Sequence, residues 1–267
     1  MTQTTPFTPT PSATLMLGRD GQNGIEVFMV LRNKKIDFAG GALVFPGGKV
    51  SSDDRLPEIF KRCDGGASLT ESELSLRIAA IRETFEESGI LLARCHETRA
   101  MLSGERVAKL FGYRTLISSG KITLKEFLET ENLTLACDRL TMFAHWITPE
   151  FVPKRFDVTF FLAEVPENQS ARHDGVESVD SVWITAGQAI SDADSRKRLV
   201  VFPTRMNLLK LDKSRTVSDA IALAKSSGIV TVTPRIEERE TGKVICIPKE
   251  AGYDITEAPL AWVMGEK

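Results

Sequence analysis

Three glutamates, Glu83, Glu86 and Glu87, follow Arg82 in the run Ala-Ile-Arg-Glu-Thr-Phe-Glu-Glu-Ser-Gly-Ile from Ala80 to Ile90. Upstream, Leu74, Ile78, Ile81 and Phe85 are spaced 4, 3 and 4, which predicts a helix whose apolar residues lie within about 40° of one another. On that wheel the three carboxylates centre about 150° away, on the opposite side. A solvated helix face is the plain reading, but two costs oppose it. Glu83 and Glu87 are like charges four apart, which costs about 0.2–0.5 kcal/mol. Glu86 and Glu87 fall in the last turn, where the helix dipole disfavours anions by about 0.3–1 kcal/mol. Arg82 offsets part of this. A hard divalent cation, Mg²⁺ or Mn²⁺, relieves all of it, because such ions take oxygen ligands from a few carboxylates together with substrate phosphates. Ser68 or Thr70 starts the helix, each with a glutamate three positions on as a capping box, and Gly89 stops it.

A second chemical stretch lies before the helix. Ala42 to Phe45 reads as a strand, and Pro46-Gly47-Gly48 ends it with backbone that can approach a ligand closely. Arg32, Lys34 and Lys35 follow the strand Ile25 to Leu31, where they either face a polyphosphate or sit in a solvated loop.

Together these residues carry a resemblance. Arg82-Glu83-Thr84-Phe85-Glu86-Glu87-Ser88-Gly89-Ile90 resembles the second half of the Nudix box, and Phe45-Pro46-Gly47-Gly48 is similar to its glycine end. Counted from Gly48, the first acidic residue of the box falls on Asp54. The pattern departs from the family twice. As many as 33 residues separate Gly48 from Arg82, a long insertion, and Thr84 stands where the family has an aliphatic residue. The insertion, with the segment His145 to Asp157, resembles the branch related to the peroxisomal coenzyme A diphosphatases of animals. The resemblance implies an α/β fold, a Nudix-type α/β/α sandwich with a mixed β-sheet, here with a helical insertion and a C-terminal extension. It implies a pyrophosphohydrolase using two or three Mg²⁺ (or Mn²⁺) ions held by Glu83, Glu86, Glu87 and the Gly48 carbonyl. Arg82 would orient a glutamate, and the general base would be a box glutamate or Glu177. Family enzymes carry such a glutamate in the loop before a strand's aromatic; Glu177 lies six before Trp183, with Asp174 and Asp180 as rivals and His173 nearby. Phosphate charge would be met by Arg32, Lys154 or Arg155, with Phe45, Gly47 and Trp146 as further substrate contacts. Coenzyme A or an acyl-coenzyme A is the implied substrate. ADP-ribose or NADH is the alternative within enzymes, and a nucleotide-sensing module without catalysis is the alternative outside them.

The elements that must position these residues fit a globular chain. Its 267 residues, 42% hydrophobic, suffice for one large core with an appendage. A net charge of −2 gives no attraction for nucleic acid or an anionic membrane. No stretch is long and apolar enough to span a bilayer, and four scattered cysteines read as reduced thiols of a cytoplasmic protein. The partner is then a small-molecule nucleoside diphosphate, with a homodimer left open. We expect a flexible tail over 1–11, a hydrolase domain over 12–195 with insertions at about 49–70 and 97–136, and an extension over 196–267 packed on the core. Ile90 to Ala93, Met142 to Ile147 and Phe156 to Val165 are expected strands, and Thr204 to Leu211 and Val217 to Ser226 expected helices.

Overall fold

The stretches 12–17 and 25–31 are apolar at nearly every position, as a strand covered on both faces must be. In the computed structural model, which describes residues 8–35 and 39–264, they lie in β1 (Thr10–Gly21) and β2 (Gly24–Arg32), joined as a hairpin. The chain continues through β3 (Leu43–Val44), β4 (Gly47–Lys49), α1 (Pro57–Phe60) and the long α2 (Glu71–Ser88). An inserted unit follows: β5 (Ala93–Cys95), α3 (Gly104–Lys109), α4 (Tyr113–Ser118), α5 (Leu124–Thr130) and β6 (Leu133–Leu135). Then come β7 (Thr141–Ile147), β8 (Phe156–Glu164), β9 (Ser178–Thr185), α6 (Ala186–Asp194), α7 (Phe202–Leu211) and α8 (Val217–Ser226). The last elements are β10 (Thr231–Val232), β11 (Arg235–Arg239), β12 (Gly242–Cys246), β13 (Glu257–Pro259) and α9 (Leu260–Met264).

One mixed sheet organises the molecule, in the order β10-β7-β8-β1-β2-β3, with β4 also on β1 and β9 also on β2. β1 runs parallel to β8 and antiparallel to β2 and β4. The two-residue period of its strands feeds two cores. Leu15, Leu17, Phe28 and Val30 meet Ile78, Ile81 and Phe85 of α2 on one face. Phe127 of the inserted unit stacks on Phe85 there, ring centres 5.5 Å apart. On the other face Met16, Val27 and Met29 meet Met206 and Leu208 of α7 and Val217 of α8. Helices thus cover both faces of the sheet, the α/β/α arrangement expected.

Several boundaries differ from the expectation for physical reasons. The expected tail lies outside the described residues over 1–7, whereas Thr10 and Pro11 pair with Phe156 and Asp157 as the start of β1. Ile90 to Leu92 is buried but is not a strand, because its backbone is satisfied elsewhere. The Gln169 side chain accepts from the Leu91 N–H at 2.9 Å and donates to the Leu91 carbonyl at 3.1 Å, and the Leu92 carbonyl accepts from Ala136 N. The strand begins at Ala93 and pairs with β6, off the main sheet. The segment after α6 does not stand alone: β10 adds an edge strand beside β7, and Ile245 and Tyr253 enter the second core.

Thr84 is fully buried in α2 and its hydroxyl finds no partner. An unsatisfied buried hydroxyl costs about 1–3 kcal/mol, so the nearly isosteric Thr84→Val is expected to stabilise the chain by about 1 kcal/mol. A urea melt showing an unchanged or lower midpoint would contradict this.

Candidate active site

The helix that carries the glutamates is fixed at both ends by its own sequence. Thr70 accepts from the Glu73 N–H at 3.3 Å while Glu73 accepts from the Thr70 N–H at 2.9 Å, a closed capping box. At the other end Gly89 takes the left-handed conformation, φ 77°, and its N–H returns to the Phe85 carbonyl. Just before that cap, Arg114 of α4 donates from Nε (3.0 Å) and Nη2 (2.8 Å) to the Glu86 carbonyl. The inserted unit therefore holds the end of α2 from which two of the glutamates project.

Arg82 is the centre of the glutamate cluster. Its Nε and Nη2 form two 2.8 Å bonds to the Asp54 carboxylate, which is completely buried. Its Nη1 reaches both Glu83 and Glu86 at 2.9 Å, and Nη2 also donates to the Lys49 carbonyl at 3.0 Å. A planar guanidinium is suited to this, since its donors are fixed in one fork. The insertion that lengthens the sequence between Gly48 and Arg82 thus leaves Asp54 in register with the glycine end. It is Asp54 that orients the arginine, a role that counting from Gly48 could locate but not reveal.

The glycine turn closes over the helix. The Gly47 N–H donates to Glu87 Oε2 at 3.2 Å. A Cβ on Gly48 would collide with the Glu83 carboxylate, and one on Gly47 with the backbone of Ala13 and Thr14, so both positions require glycine for close approach. In consequence Glu87 is only 5% exposed, and the three carboxylates do not form the open helix face that the wheel alone describes.

Electrostatics follow from that burial. Desolvation pushes the Glu87 carboxyl well up, with Glu83 adding to the rise and Arg32 and the Gly47 N–H opposing it. Burial also raises Glu83 against the opposing charge of Arg82. Glu86 is pushed up to about 7 by burial, with Arg82 opposing and Glu83 reinforcing. For Arg82, burial works against the charge, but the Asp54 hydrogen bonds and the surrounding carboxylates outweigh it and raise its pKa. The charge of Glu177 adds a little to the rise at both Glu83 and Glu87. Its loop is organised by Asp174, whose carboxylate accepts from the N–H groups of Val176, Glu177 and Ser178 at 2.9–3.3 Å. The Glu177 carbonyl accepts from Asn33 N at 2.8 Å, tying the loop to the end of β2. Asp174 is therefore spent on the turn, Asp180 on the Ser181 N–H, and His173 faces the Ser181 hydroxyl at 3.1 Å.

Arg82, Glu83, Glu86, Glu87, Gly47 and Gly48 come together in this way, with Arg32 and Glu177 bearing on their charge. Trp146 and Phe45 belong to the second core and line, with Arg32, a cavity there, and Lys154 and Arg155 lie in the connection from β7 to β8. Trp146 is 3% exposed in the second core, donating from Nε1 to the Tyr253 hydroxyl at 2.9 Å and packed edge-on against Phe202. Lys154 is exposed in the connection from β7 to β8, and Arg155 donates from Nε to the Thr148 carbonyl at 2.9 Å. Phe45 is buried against the second core and lines a cavity there. Arg114 was not legible as part of the site, because nothing near it in sequence links α4 to α2.

Among the described residues no three His, Cys, Asp or Glu side chains already converge as a metal shell. Glu83 and Glu86 are turned to Arg82, and Glu87 to the Gly47 amide. The donor set nevertheless fits a hard divalent cation: all oxygen, three carboxylates raised by desolvation, and a glycine against which the Glu83 carboxylate rests. This has a consequence for stability. Glu86 ionises near its usual 4.5 when unfolded and near 7 when folded without metal, so between those values the folded chain binds more protons. Its contribution is therefore fully present below pH 4.5 and is lost as pH rises to 7, by about 2–3 kcal/mol. Urea melts in EDTA are expected to weaken across pH 5 to 7.5, and Mg²⁺ at pH 7.5 to restore the loss. A profile flat in pH and indifferent to Mg²⁺ would contradict the burial described.

Comparison with known proteins agrees with this geometry. The NUDT19 Nudix domain family matches residues 59–211, from α1 through α7 and including the whole of α2. The acyl-coenzyme A diphosphatase NUDT19 of Xenopus laevis is 24% identical over 270 residues, covering 85% of this chain and 71% of its own length. The crystal structure of a NUDIX hydrolase from Alicyclobacillus acidocaldarius superposes with a TM-score of 0.69 at 28% identity, over 80% of this chain and 96% of that one. The glycine turn and Asp54 precede the matched span, and the structure joins them to it through Glu87 and Arg82. The chain belongs to the NUDT19 Nudix domain family and is a Nudix pyrophosphohydrolase.

Proposed function

We propose that the chain hydrolyses the diphosphate bond of coenzyme A or an acyl-coenzyme A, giving 3',5'-ADP and a phosphopantetheine. The observation that carries this reading is the convergence of Glu83, Glu86 and Glu87 on the Gly47-Gly48 turn, under Arg82 and beside an apolar cavity that reaches Arg32 and Phe45. The similarity to a relative named for acyl-coenzyme A supports the choice of substrate.

Glu83, Glu86, Glu87 and the Gly48 carbonyl would hold Mg²⁺ or Mn²⁺. When bound, such ions supply a water of lowered pKa and neutralise charge on the phosphate oxygens. The chain's own groups do the rest. Arg82, clamped by Asp54, fixes where the Glu83 and Glu86 carboxylates point, and Arg114 fixes the backbone of Glu86. Glu177 takes the proton from the attacking water, its position set by the Asp174 turn. Arg32, whose Nε is buried without a partner, donates to a phosphate oxygen. We take residues 12–195 as the hydrolase unit and the later residues as its extension, since these complete the second core. No helix among the described residues is long and apolar enough to cross a membrane. Four unpaired cysteines support a reducing compartment such as the cytoplasm.

A mass-spectrometric screen with Mg²⁺ or Mn²⁺ against coenzyme A, acyl-coenzyme A, ADP-ribose and NADH tests the reading. Formation of 3',5'-ADP is expected. Cleavage of ADP-ribose or NADH without it would move the substrate, and binding without cleavage of any would leave a sensing module.

A further inference from the structure

On the face of the sheet opposite α2 lies a cavity of about 440 Å³, within the 300–1,000 Å³ range of ligand pockets. Val158 and Phe160 of β8 line it from the sheet. Its roof is C-terminal: Val201 and Pro203 at the start of α7, Ile245 of β12, and Leu260 and Val263 of α9. Phe151, half-exposed in the connection from β7 to β8, stands at its edge.

Its chemistry is one-sided. Among the described residues Arg32 is the only charged one in the lining, and Thr14, Thr148 and Thr204 supply its side-chain hydroxyls. The Thr148 hydroxyl already accepts from the Phe156 N–H at 3.0 Å. Among the described residues the lining holds no Asn, Gln, Asp or Glu to read the edge of a nucleobase, which leaves Arg32 and the threonine hydroxyls as its few polar side chains. A hydrocarbon chain needs no polar partner.

Its position is equally specific. Arg32 and Phe45 belong both to this lining and to the surroundings of the glutamates: Arg32 bears on Glu87, and Phe45 is separated from Gly47 by Pro46 alone. Thr14, on the cavity wall, is the strand partner of Gly47. A substrate with its diphosphate at the glycine turn has this apolar space within reach.

We propose that the cavity is the acyl-chain subsite, so that the C-terminal segment acts as the gauge of chain length. The proposal rests on the reading of the chain as a hydrolase of acyl-coenzyme A, and its test separates the two. Burial of each methylene favours the longer chain by about fourfold until the cavity is full. kcat/KM is therefore expected to rise from coenzyme A through hexanoyl- to longer acyl-coenzyme A and then to level.

Val201→Phe fills the cavity from its roof, and Phe151→Glu sets a charge at its half-exposed edge without disturbing the core. Each is expected to lower the ratio of kcat/KM for dodecanoyl-coenzyme A to that for coenzyme A by about tenfold or more. Independently of hydrolysis, dodecanoate titrated calorimetrically into the intact chain is expected to bind, and about tenfold more weakly to either variant. Unchanged ratios in both folded variants, with coenzyme A still cleaved, would overturn the subsite and spare the hydrolase. Dodecanoate binding that the variants weaken, in a chain that cleaves nothing, would uphold the apolar subsite and overturn the hydrolase. Displacement of dodecanoate by adenosine would assign the cavity to the base and overturn the proposal.

Discussion

Glu87→Gln is expected to lower turnover by about 10²- to 10⁴-fold while the fold is kept, the loss typical of removing a positioned acid–base or charge-bearing group. Glutamine has the same shape and its carbonyl oxygen can still accept from the Gly47 N–H, now 3.2 Å from Glu87 Oε2. What it removes is a negative charge that burial already disfavours. The melting temperature of the metal-free variant should therefore be equal to or above that of the parent. Mg²⁺ is expected to add less stability to the variant than to the parent, because one anionic oxygen donor is gone. Turnover within twofold of the parent, or a large fall in melting temperature, would show that Glu87 serves packing rather than chemistry.

Arg82→Ala is expected to have the largest effect on stability, about 3–5 kcal/mol, because it leaves buried carboxylates without their counter-ion. Asp54, fully buried, would keep the Ser51 N–H at 2.8 Å as its remaining side-chain hydrogen bond among the described residues. Glu83 and Glu86 would each lose a 2.9 Å ion pair. In a chain of this size the loss corresponds to a fall of roughly 6–20 °C in melting temperature. It should shrink as pH falls, since protonation of Glu83 and Glu86, both raised by burial, removes their unpaired charge. Arg82→Lys should recover only part of it, as an ammonium cannot span both Asp54 oxygens and still reach two glutamates. Thermal melts of the three proteins at pH 5 and 7.5 check this. A loss below about 1 kcal/mol at pH 7.5 would contradict the clamp.

These effects depend on features of unequal visibility in the sequence. α2 was legible because its determinants are local. Thr70 and Glu73 cap it, Gly89 ends it, and the 4, 3, 4 spacing of Leu74, Ile78, Ile81 and Phe85 marks a face that is indeed buried. The box residues were legible because their types and order are unusual. The depth of Glu87 was not, since it arises from β4 crossing over α2 and bringing Gly47 across 40 positions of sequence. The surroundings of Trp146 were not legible, since Tyr253 and Phe202, far along the chain, pack against it. Ile90 to Leu92 had the composition of a strand, but its hydrogen bonds go to the Gln169 amide and to Ala136, which no local pattern announces. Arg114 is the same kind of case: its guanidinium meets the Glu86 carbonyl only because the inserted unit folds back on α2.

The apolar cavity also escaped the linear reading, because its walls come from five separated stretches between Thr14 and Val263. It nonetheless bears on the same substrate as the glutamates, the diphosphate in the middle of the molecule at the carboxylates and the acyl end, beyond the pantetheine arm, under α9. A single chemical event links the two, attack of water on a phosphorus of the diphosphate.

Hydrolysis of an acyl-coenzyme A in ¹⁸O-labelled water with Mg²⁺, followed by mass spectrometry of both products, tests that event most directly. Expected are 3',5'-ADP and acyl-phosphopantetheine in equal amounts, with one ¹⁸O in only one of the two phosphates and no product from Glu87→Gln on the same timescale. Release of free fatty acid with the diphosphate intact, or no labelled product at all, would contradict it.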